Sequence, residues 1–192
     1  AEALGNELGA AVVAALALAE PLAVRGLNHS ERLLQLPLMP PLSPRRAARE
    51  RLVLKMKAAT RQVLGGDRGV RCAARARLQW AHDLWAHGDG GEAQVFSIQA
   101  MAVGPLVLLG MEGEIFARYQ LDIEEAAEPI IVCGYANGCI GYVPTADEYE
   151  RGGYEIDEAY KVYPSVRMIA PESEGIIRKA VAELVEKLRR DT

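Results

Sequence analysis

Residues Leu106 to Gly134 form the sequence LVLLGMEGEIFARYQLDIEEAAEPIIVCG, in which two apolar runs flank a stretch with helical periodicity. Leu106–Leu109 and Pro129–Gly134 are predicted as central strands because buried strands are continuous apolar runs. Ile115–Ala126 is predicted as the connecting helix. If both strands run the same way, they form a βαβ unit whose glycine loops lie at the carboxyl ends of the strands, where ligands bind in open α/β sheets. The sequence predicts an α/β fold with a layered, mixed or mostly parallel β-sheet covered by helices.

Periodicity outside this unit predicts the remaining elements. Ser173–Arg190 is an amphipathic helix whose apolar positions recur at helical spacing. The stretches 45–64 and 72–86 are also predicted as helices, and 31–38 and 94–102 as strands.

The chain begins at Ala1 with a run of alanines and leucines. Its apolar positions have near-helical spacing, but the continuous apolar run from Leu8 to Ala19 is too short to cross a bilayer. No basic start or cleavage site of a signal peptide precedes it. We therefore expect a buried helix here.

Composition restricts the class of protein. The 192 residues are enough for one domain with a hydrophobic core, and the formal net charge of -4 argues against a nucleic-acid-binding protein. The basic cluster at Arg45, Arg46, Arg49 and Arg51 is expected to be a solvated helix face. Three cysteines are too few for a disulfide framework, which favours a reducing, cytoplasmic compartment. Cys133 and Cys139 are expected to be small buried residues.

Tyrosines are concentrated in the glycine-rich segment Cys133–Glu155. Five of the seven tyrosines lie in this segment or just beyond it: Tyr135, Tyr142, Tyr149, Tyr154 and Tyr160. Because tyrosine combines an apolar ring with a polar hydroxyl, the pattern fits a ligand-binding surface. It fits equally well a strand and turn in which the rings are half-buried packing.

Two elements of the chain together resemble a known family. The first comprises Asn137, Gly141-Tyr142-Val143, Thr145, Glu148-Tyr149 and Gly153-Tyr154-Glu155; the second is the stretch Leu108–Phe116, which contains Gly113-Glu114. In order and separation they resemble the signature of the neutral/alkaline, non-lysosomal ceramidases, which are zinc amidases. The resemblance implies that Glu114 and Tyr142 are zinc ligands and that Tyr154 is catalytic. The compact frame resembles bacterial members of the family.

The resemblance also implies that residues 1–192 are one domain or half-domain, equivalent to the C-terminal half of a ceramidase-like catalytic domain. The family's two histidine zinc ligands belong to the N-terminal half, so an N-terminal half or a second chain is the expected partner. The three histidines of this chain do not replace them. His82 and His87 are on different faces of a helix, and His29 is expected in a loop. Because catalytic zinc has three protein ligands, this chain alone is expected to be inactive.

Structural interpretations stand beside these roles. An acid such as Glu114 is favoured in the first turn of a helix by the macrodipole. Tyr149 is expected to pack and Tyr135 to lie at the core edge, whereas Tyr160 and Tyr163 are assigned to the surface or an interface.

Two functions remain open. The first is a zinc-dependent hydrolase of an amide, or a related bond, in a small-molecule or lipid-like substrate. The alternative is a non-catalytic binding or scaffold relative that keeps the fold without the metal. Cys139 stands where the family often has an aromatic residue, and ceramide itself is implied only by analogy.

Overall fold

The computed structural model describes residues 1–24, 26–64, 67–87, 91–127, 129–163 and 167–190. Its helices and strands follow one another in this order: α1 (Glu2–Ala17), β1 (Leu27–Pro37), α2 (Pro44–Leu64), α3 (Arg68–His87), β2 (Ala93–Val103), β3 (Leu106–Met111), β4 (Glu114–Ile115), α4 (Ala117–Ala127), β5 (Ile130–Cys133), β6 (Tyr142–Val143), α5 (Glu148–Arg151) and α6 (Ser173–Arg190). A π-helical turn (Tyr154–Glu158) and a 3₁₀ turn (Ala159–Val162) lie between α5 and α6.

A mixed four-stranded sheet in the order β1-β2-β3-β5 forms the centre of the molecule. β1 pairs antiparallel with β2, and β2 with β3, through a turn at Gly104. β3 and β5 are parallel and are joined by α4, which confirms the predicted βαβ unit. β5 lies at the edge of this sheet, so its predicted central position was wrong; Ile131 and Cys133 are exposed, so an apolar run of strand length did not require cover on both faces.

Helices α4 and α6 cover one face of the sheet and close the main core. The predicted amphipathic helix has the bounds of α6, and its apolar stripe is buried except for Ile176, which is 36% exposed. Burying a large aliphatic side chain contributes about 1.5–3 kcal/mol, so this stripe accounts for much of the attachment of α6 to the sheet. The core combines it with residues of three strands and α4: Leu36, Phe96, Ile98, Leu109, Met111 and Tyr119.

The opposite face of the sheet is open in the described part of the chain. Apolar side chains on this face are substantially exposed: Leu27 (73%), Leu33 (64%), Val95 (46%), Met101 (44%) and Ile131 (47%). Since successive residues of a strand point to opposite faces, this exposure is the expected complement of the buried face.

A second, smaller core joins the α2–α3 hairpin to the 3₁₀ turn. Its buried residues are Leu54, Trp80, Ala81 and Leu84. The ring of Tyr160 packs edge-on against Trp80 with 5.7 Å between centroids. Of the two positions left open for Tyr160, the surface or an interface, the structure shows a contact between elements, because its ring fills the space between the hairpin and the turn.

Three other predictions were wrong. Helix α1 forms, but none of its side chains is buried, because no other element packs against it in the described structure. Cys133 and Cys139 are free and exposed rather than buried. His29 lies in β1, where it pairs with Met101, and not in a loop. Among the described residues, no helix has the length and apolar character needed to cross a membrane.

Candidate active site

The candidate site is formed by two segments of the chain, one that follows β3 and one that follows β5. The two-residue strands β4 and β6 pair in parallel and place Glu114 directly opposite Tyr142. The amide of Glu114 donates to the carbonyl of Gly141 at 2.8 Å. Glu114 thus lies in a short strand, and not at the start of the following helix, which begins only at Ala117.

Two glycines permit this pairing. Gly113 has φ +84°, and a Cβ atom there would lie 2.5 Å from the carbonyl oxygen of Gly141. Gly141 has φ +100°, and a Cβ atom there would lie 3.0 Å from the ring of Tyr163. Both positions need the left-handed backbone that glycine adopts without steric cost. The close approach of the two loops therefore depends on glycine on both sides.

Three tyrosines donate hydrogen bonds to the Glu114 carboxylate. The Tyr163 hydroxyl bonds to Oε1, and the hydroxyls of Tyr142 and Tyr135 also bond to this carboxylate. Partial burial acts to raise the pKa of Glu114, but the three hydrogen bonds outweigh it and hold the pKa below its usual value. Glu114 is therefore an ionised acceptor surrounded by phenol donors.

The same contacts keep the phenols protonated. The hydrogen bond to Glu114, with partial burial and the neighbouring negative charge, raises the pKa of Tyr142 to about 12. The hydrogen bond to Glu114 likewise raises the pKa of Tyr135 and of Tyr163. Each phenol is a donor at neutral pH in this chain.

Tyr154 lies beside this cluster. Its ring packs edge-on against Tyr142, with 6.3 Å between centroids, and Phe116 packs on Tyr142 at 6.2 Å. Gly152 (φ +64°) and Gly153 (φ +115°) turn the chain immediately before Tyr154. The Tyr154 side chain is 52% exposed, and its hydroxyl has no hydrogen-bond partner among the described residues. It is therefore accessible to a ligand.

Buried contacts fix the loop that carries Tyr142. Val143 is fully buried, and the Tyr119 hydroxyl donates to the carbonyl of Pro144 at 3.1 Å. The Tyr149 hydroxyl donates to the carbonyl of Ile169 at 2.8 Å, and burial raises the pKa of Tyr149. The predicted packing role of Tyr149 agrees with this position.

Sequence reasoning missed two members of the cluster. Tyr163 was assigned to the surface or an interface, and Tyr135 to the core edge, yet both contact Glu114. Tyr135 has φ +56°, which is uncommon for a bulky residue. Neither the 49-residue separation of Tyr163 from Glu114 nor the backbone of Tyr135 leaves a local signal in the sequence. Gly113 and Gly141, which lie on the two loops, are the one feature of the sequence that could have indicated the close approach of these loops.

The histidines lie away from this cluster. His29 is on β1 and His82 on α3, and the side chain of His87 lies outside the described part. Within the described ranges, no group of three or more His, Cys, Asp or Glu side chains is arranged to hold a metal ion. The metal-ligating atoms that this cluster offers are the oxygens of Glu114 and of its tyrosines.

A separate polar cavity of about 910 Å³ has Phe116 in its wall. Its other lining residues are mostly charged, including Arg118, Asp122, Asp147, Glu148, Arg151, Glu174 and Arg178. Several of these form ion pairs, such as Arg178 with Asp122 at 2.8 Å. Glu114, Tyr142 and Tyr154 do not line this cavity, so it is distinct from the tyrosine cluster.

No family model and no curated protein matches the chain. Two solved structures resemble it in part. A ceramidase complexed with C2 covers 50% of this chain at 24% identity and a TM-score of 0.41, and 15% of that protein is covered. The neutral ceramidase of Pseudomonas aeruginosa covers 51% at 24% identity and a TM-score of 0.38, and 16% of it is covered. The chain is similar to these ceramidases over half of its length.

Proposed function

We propose that this chain is part of a zinc-dependent hydrolase that cleaves an amide, or a related bond, in a ceramide-like N-acyl substrate. Glu114 and Tyr142 are two metal ligands in this proposal, and Tyr154 stabilises the oxyanion. Two histidine ligands come from an N-terminal half of the same protein or from a second chain.

The pairing of Glu114 with Tyr142 across β4 and β6 is the observation that carries the proposal. The ring of Tyr154 lies against Tyr142, so the three residues that match the ceramidase signature are neighbours in space. A structural role alone would not require an ionised carboxylate, a phenol and an exposed second phenol at one point.

The donor atoms fit zinc in part. A carboxylate and a phenolate are hard oxygen ligands that suit zinc beside imidazoles. Catalytic zinc has three protein ligands and one open position, so Glu114 and Tyr142 complete a site only with ligands from outside this chain. When bound, zinc supplies a Lewis acid and a bound water whose pKa is lowered toward about 7.

The residues of this chain have distinct tasks. Tyr142 must release the proton that it now donates to Glu114 before its oxygen can bind a metal, so metal binding is coupled to proton release. Tyr163 and Tyr135 hold the Glu114 carboxylate in place through hydrogen bonds. Tyr154 donates its O–H to the negative charge that develops on the substrate carbonyl oxygen, an interaction whose loss typically costs about 10²–10³ in rate.

One observation favours a second function, a non-catalytic binding or scaffold relative. The Glu114 carboxylate already accepts hydrogen bonds from three phenols, so the cluster is satisfied without a metal. In that case the complete protein would keep the cluster and bind no zinc.

Metal analysis of the complete protein distinguishes the two functions. Zinc should be present at one ion per protein molecule. This zinc content should fall sharply when Glu114 is replaced by Gln, because a neutral amide is a poor metal ligand. Glu125→Gln, on the exposed side of α4, is the matched control and should keep the metal. Unchanged zinc content in Glu114→Gln would rule out the assignment.

A further inference from the structure

Positive charge is concentrated in the α2–α3 hairpin. Residues 44–87 hold 11 of the 22 Lys and Arg residues but only 3 of the 26 Asp and Glu residues, which gives the hairpin a net charge of +8 and the rest of the chain -12. The overall charge of -4 therefore hides two regions of opposite sign. Clusters of about four to eight Lys and Arg residues are typical of sites for anionic lipids.

The two helices of the hairpin form a basic groove of about 480 Å³. Arg51 and Lys55 of α2 line it together with Arg75 and His82 of α3. Lys55 and Arg75 are exposed, and neither forms an ion pair with an acid in the described residues. No carboxylate lines the groove, and Asp83 contacts His82 at 3.5 Å from outside it, so the charges that are available to an anion from solution are those of Lys55 and Arg75.

Apolar side chains lie beside the groove. Leu52 and Met56 are one helical turn apart on α2 and are 60% and 63% exposed. Helical geometry places both on the side of α2 away from the buried Leu54, with Lys55 between them and the groove. Exposed apolar residues bordered by cations are the pattern of helices that lie in a membrane interface.

We propose that the α2–α3 hairpin docks on an anionic membrane surface. The groove holds a phosphate head group between Lys55 and Arg75, and Leu52 and Met56 enter the boundary between head groups and acyl chains. This site is separate from the tyrosine cluster and does not depend on the proposed hydrolase function.

A nucleic acid would also be attracted by the positive charge. Single strands, however, are bound by exposed aromatic platforms, and Trp80 of the described part of the hairpin is 5% exposed. Leu52 and Met56 have no role in contacts to a phosphate backbone. The exposed apolar pair therefore favours a lipid surface.

Vesicle flotation of the full chain tests the proposal, because protein bound to vesicles rises in a density gradient and aggregated protein does not. We expect the chain to bind phosphatidylcholine vesicles that contain about one-third phosphatidylserine, to bind pure phosphatidylcholine weakly, and to lose affinity as salt rises. Lys55→Glu with Arg75→Glu should lower the partition coefficient by at least about tenfold, since each basic residue near such a surface contributes about fivefold. Leu52→Ser with Met56→Ser should abolish the binding that persists at high salt.

Lys179→Glu with Lys187→Glu, both exposed on α6, makes the same change in net charge and should alter binding by less than about twofold. Circular dichroism checks that each variant folds, and Lys55→Gln with Arg75→Gln replaces the charge reversal if it does not. Equal binding to neutral and anionic vesicles would overturn the proposal. An equal loss of binding in the α6 control would also overturn it. Binding of a nucleic acid duplex or single strand without binding of vesicles would do the same.

Discussion

Glu114 accepts hydrogen bonds from three phenols, while Tyr154 has no partner for its hydroxyl among the described residues. The difference separates hydroxyls that are bonded to the carboxylate from one that is open, and it supports the proposed substrate-facing role of Tyr154. A donor already bonded to a carboxylate must exchange that bond before it can assist a reaction. The Tyr154 hydroxyl is available without such an exchange.

Tyr154→Phe and Tyr142→Phe should therefore impair the activity of the complete protein in different ways. Tyr154→Phe should keep the metal and the KM of an amide reporter while kcat falls by about 10²–10³, because the lost interaction is made mainly in the transition state. Tyr142→Phe should weaken the binding of the metal, and added zinc should restore part of the activity. Tyr149→Phe is the control and should change kcat little. Loss of activity in Tyr149→Phe with an intact Tyr154→Phe enzyme would show that the assigned register is wrong.

Tyr163→Phe should raise the pKa of Glu114 and change the pH dependence of stability. Because the folded-state pKa of Glu114 lies below its unfolded value, the ionised carboxylate contributes stability above the unfolded pKa, and this contribution is lost as pH falls through the folded pKa. We expect the wild type to be more stable than Tyr163→Phe by up to about 1 kcal/mol at neutral pH, since the carboxylate is only partly buried and solvent screens the interaction.

Urea denaturation of both proteins from neutral to acid pH measures this difference. It should shrink as Glu114 becomes protonated in both proteins. A difference that stays constant with pH would show that Tyr163 stabilises the fold by packing rather than through the carboxylate.

At the scale of elements, the βαβ unit and α6 were predictable because their signals are local. Apolar runs of strand length and a helical apolar stripe specify β3, α4 and α6 without reference to the rest of the chain. Strand β4 was not predictable, since its two residues pair only after the loops at Gly113 and Gly141 meet. The burial of α1 was also mispredicted, because an apolar composition does not specify which surface will cover a helix.

The same reasoning applies to the site. Glu114, Tyr142 and Tyr154 were assigned through a motif that keeps its order along the chain, and in the structure they are neighbours. Tyr163 was missed because only the positive φ of Gly141 allows its ring to approach the loop, and backbone geometry is not visible in the sequence.

Gly141→Ala tests whether the β4–β6 pairing depends on glycine. The new Cβ would lie 3.0 Å from the Tyr163 ring at a φ of +100°, so we expect a loss of about 1–3 kcal/mol in the free energy of unfolding. Gly175→Ala in α6, where no atom lies within 4 Å of the new Cβ, should instead stabilise by about 0.5–1 kcal/mol. Chemical denaturation measures both, and an equal effect of the two substitutions would contradict the account of the turn.

At the scale of the whole molecule, one face of the sheet and the helix α1 expose apolar side chains. Large exposed apolar patches mark contact surfaces in soluble proteins. We therefore propose that the sheet needs a further layer, from an N-terminal half or a second chain, to complete a domain.

Residues 1–192 alone should accordingly aggregate or bind a hydrophobic dye strongly. Leu33→Thr with Met101→Thr, both on the open face, should reduce dye fluorescence, whereas the buried core should be unaffected. A monodisperse monomer with a cooperative melt and no dye binding would show that the chain is a self-sufficient domain.

Anomalous diffraction at the zinc edge from crystals of the complete protein tests the central claim most directly. The account predicts one anomalous peak about 2.0–2.2 Å from a Glu114 carboxylate oxygen and the Tyr142 phenol oxygen, with two histidine nitrogens completing the set. A protein that shows no peak there after growth with zinc, and in which Tyr142 still donates its hydrogen bond to Glu114, would contradict the metal site and leave the scaffold function.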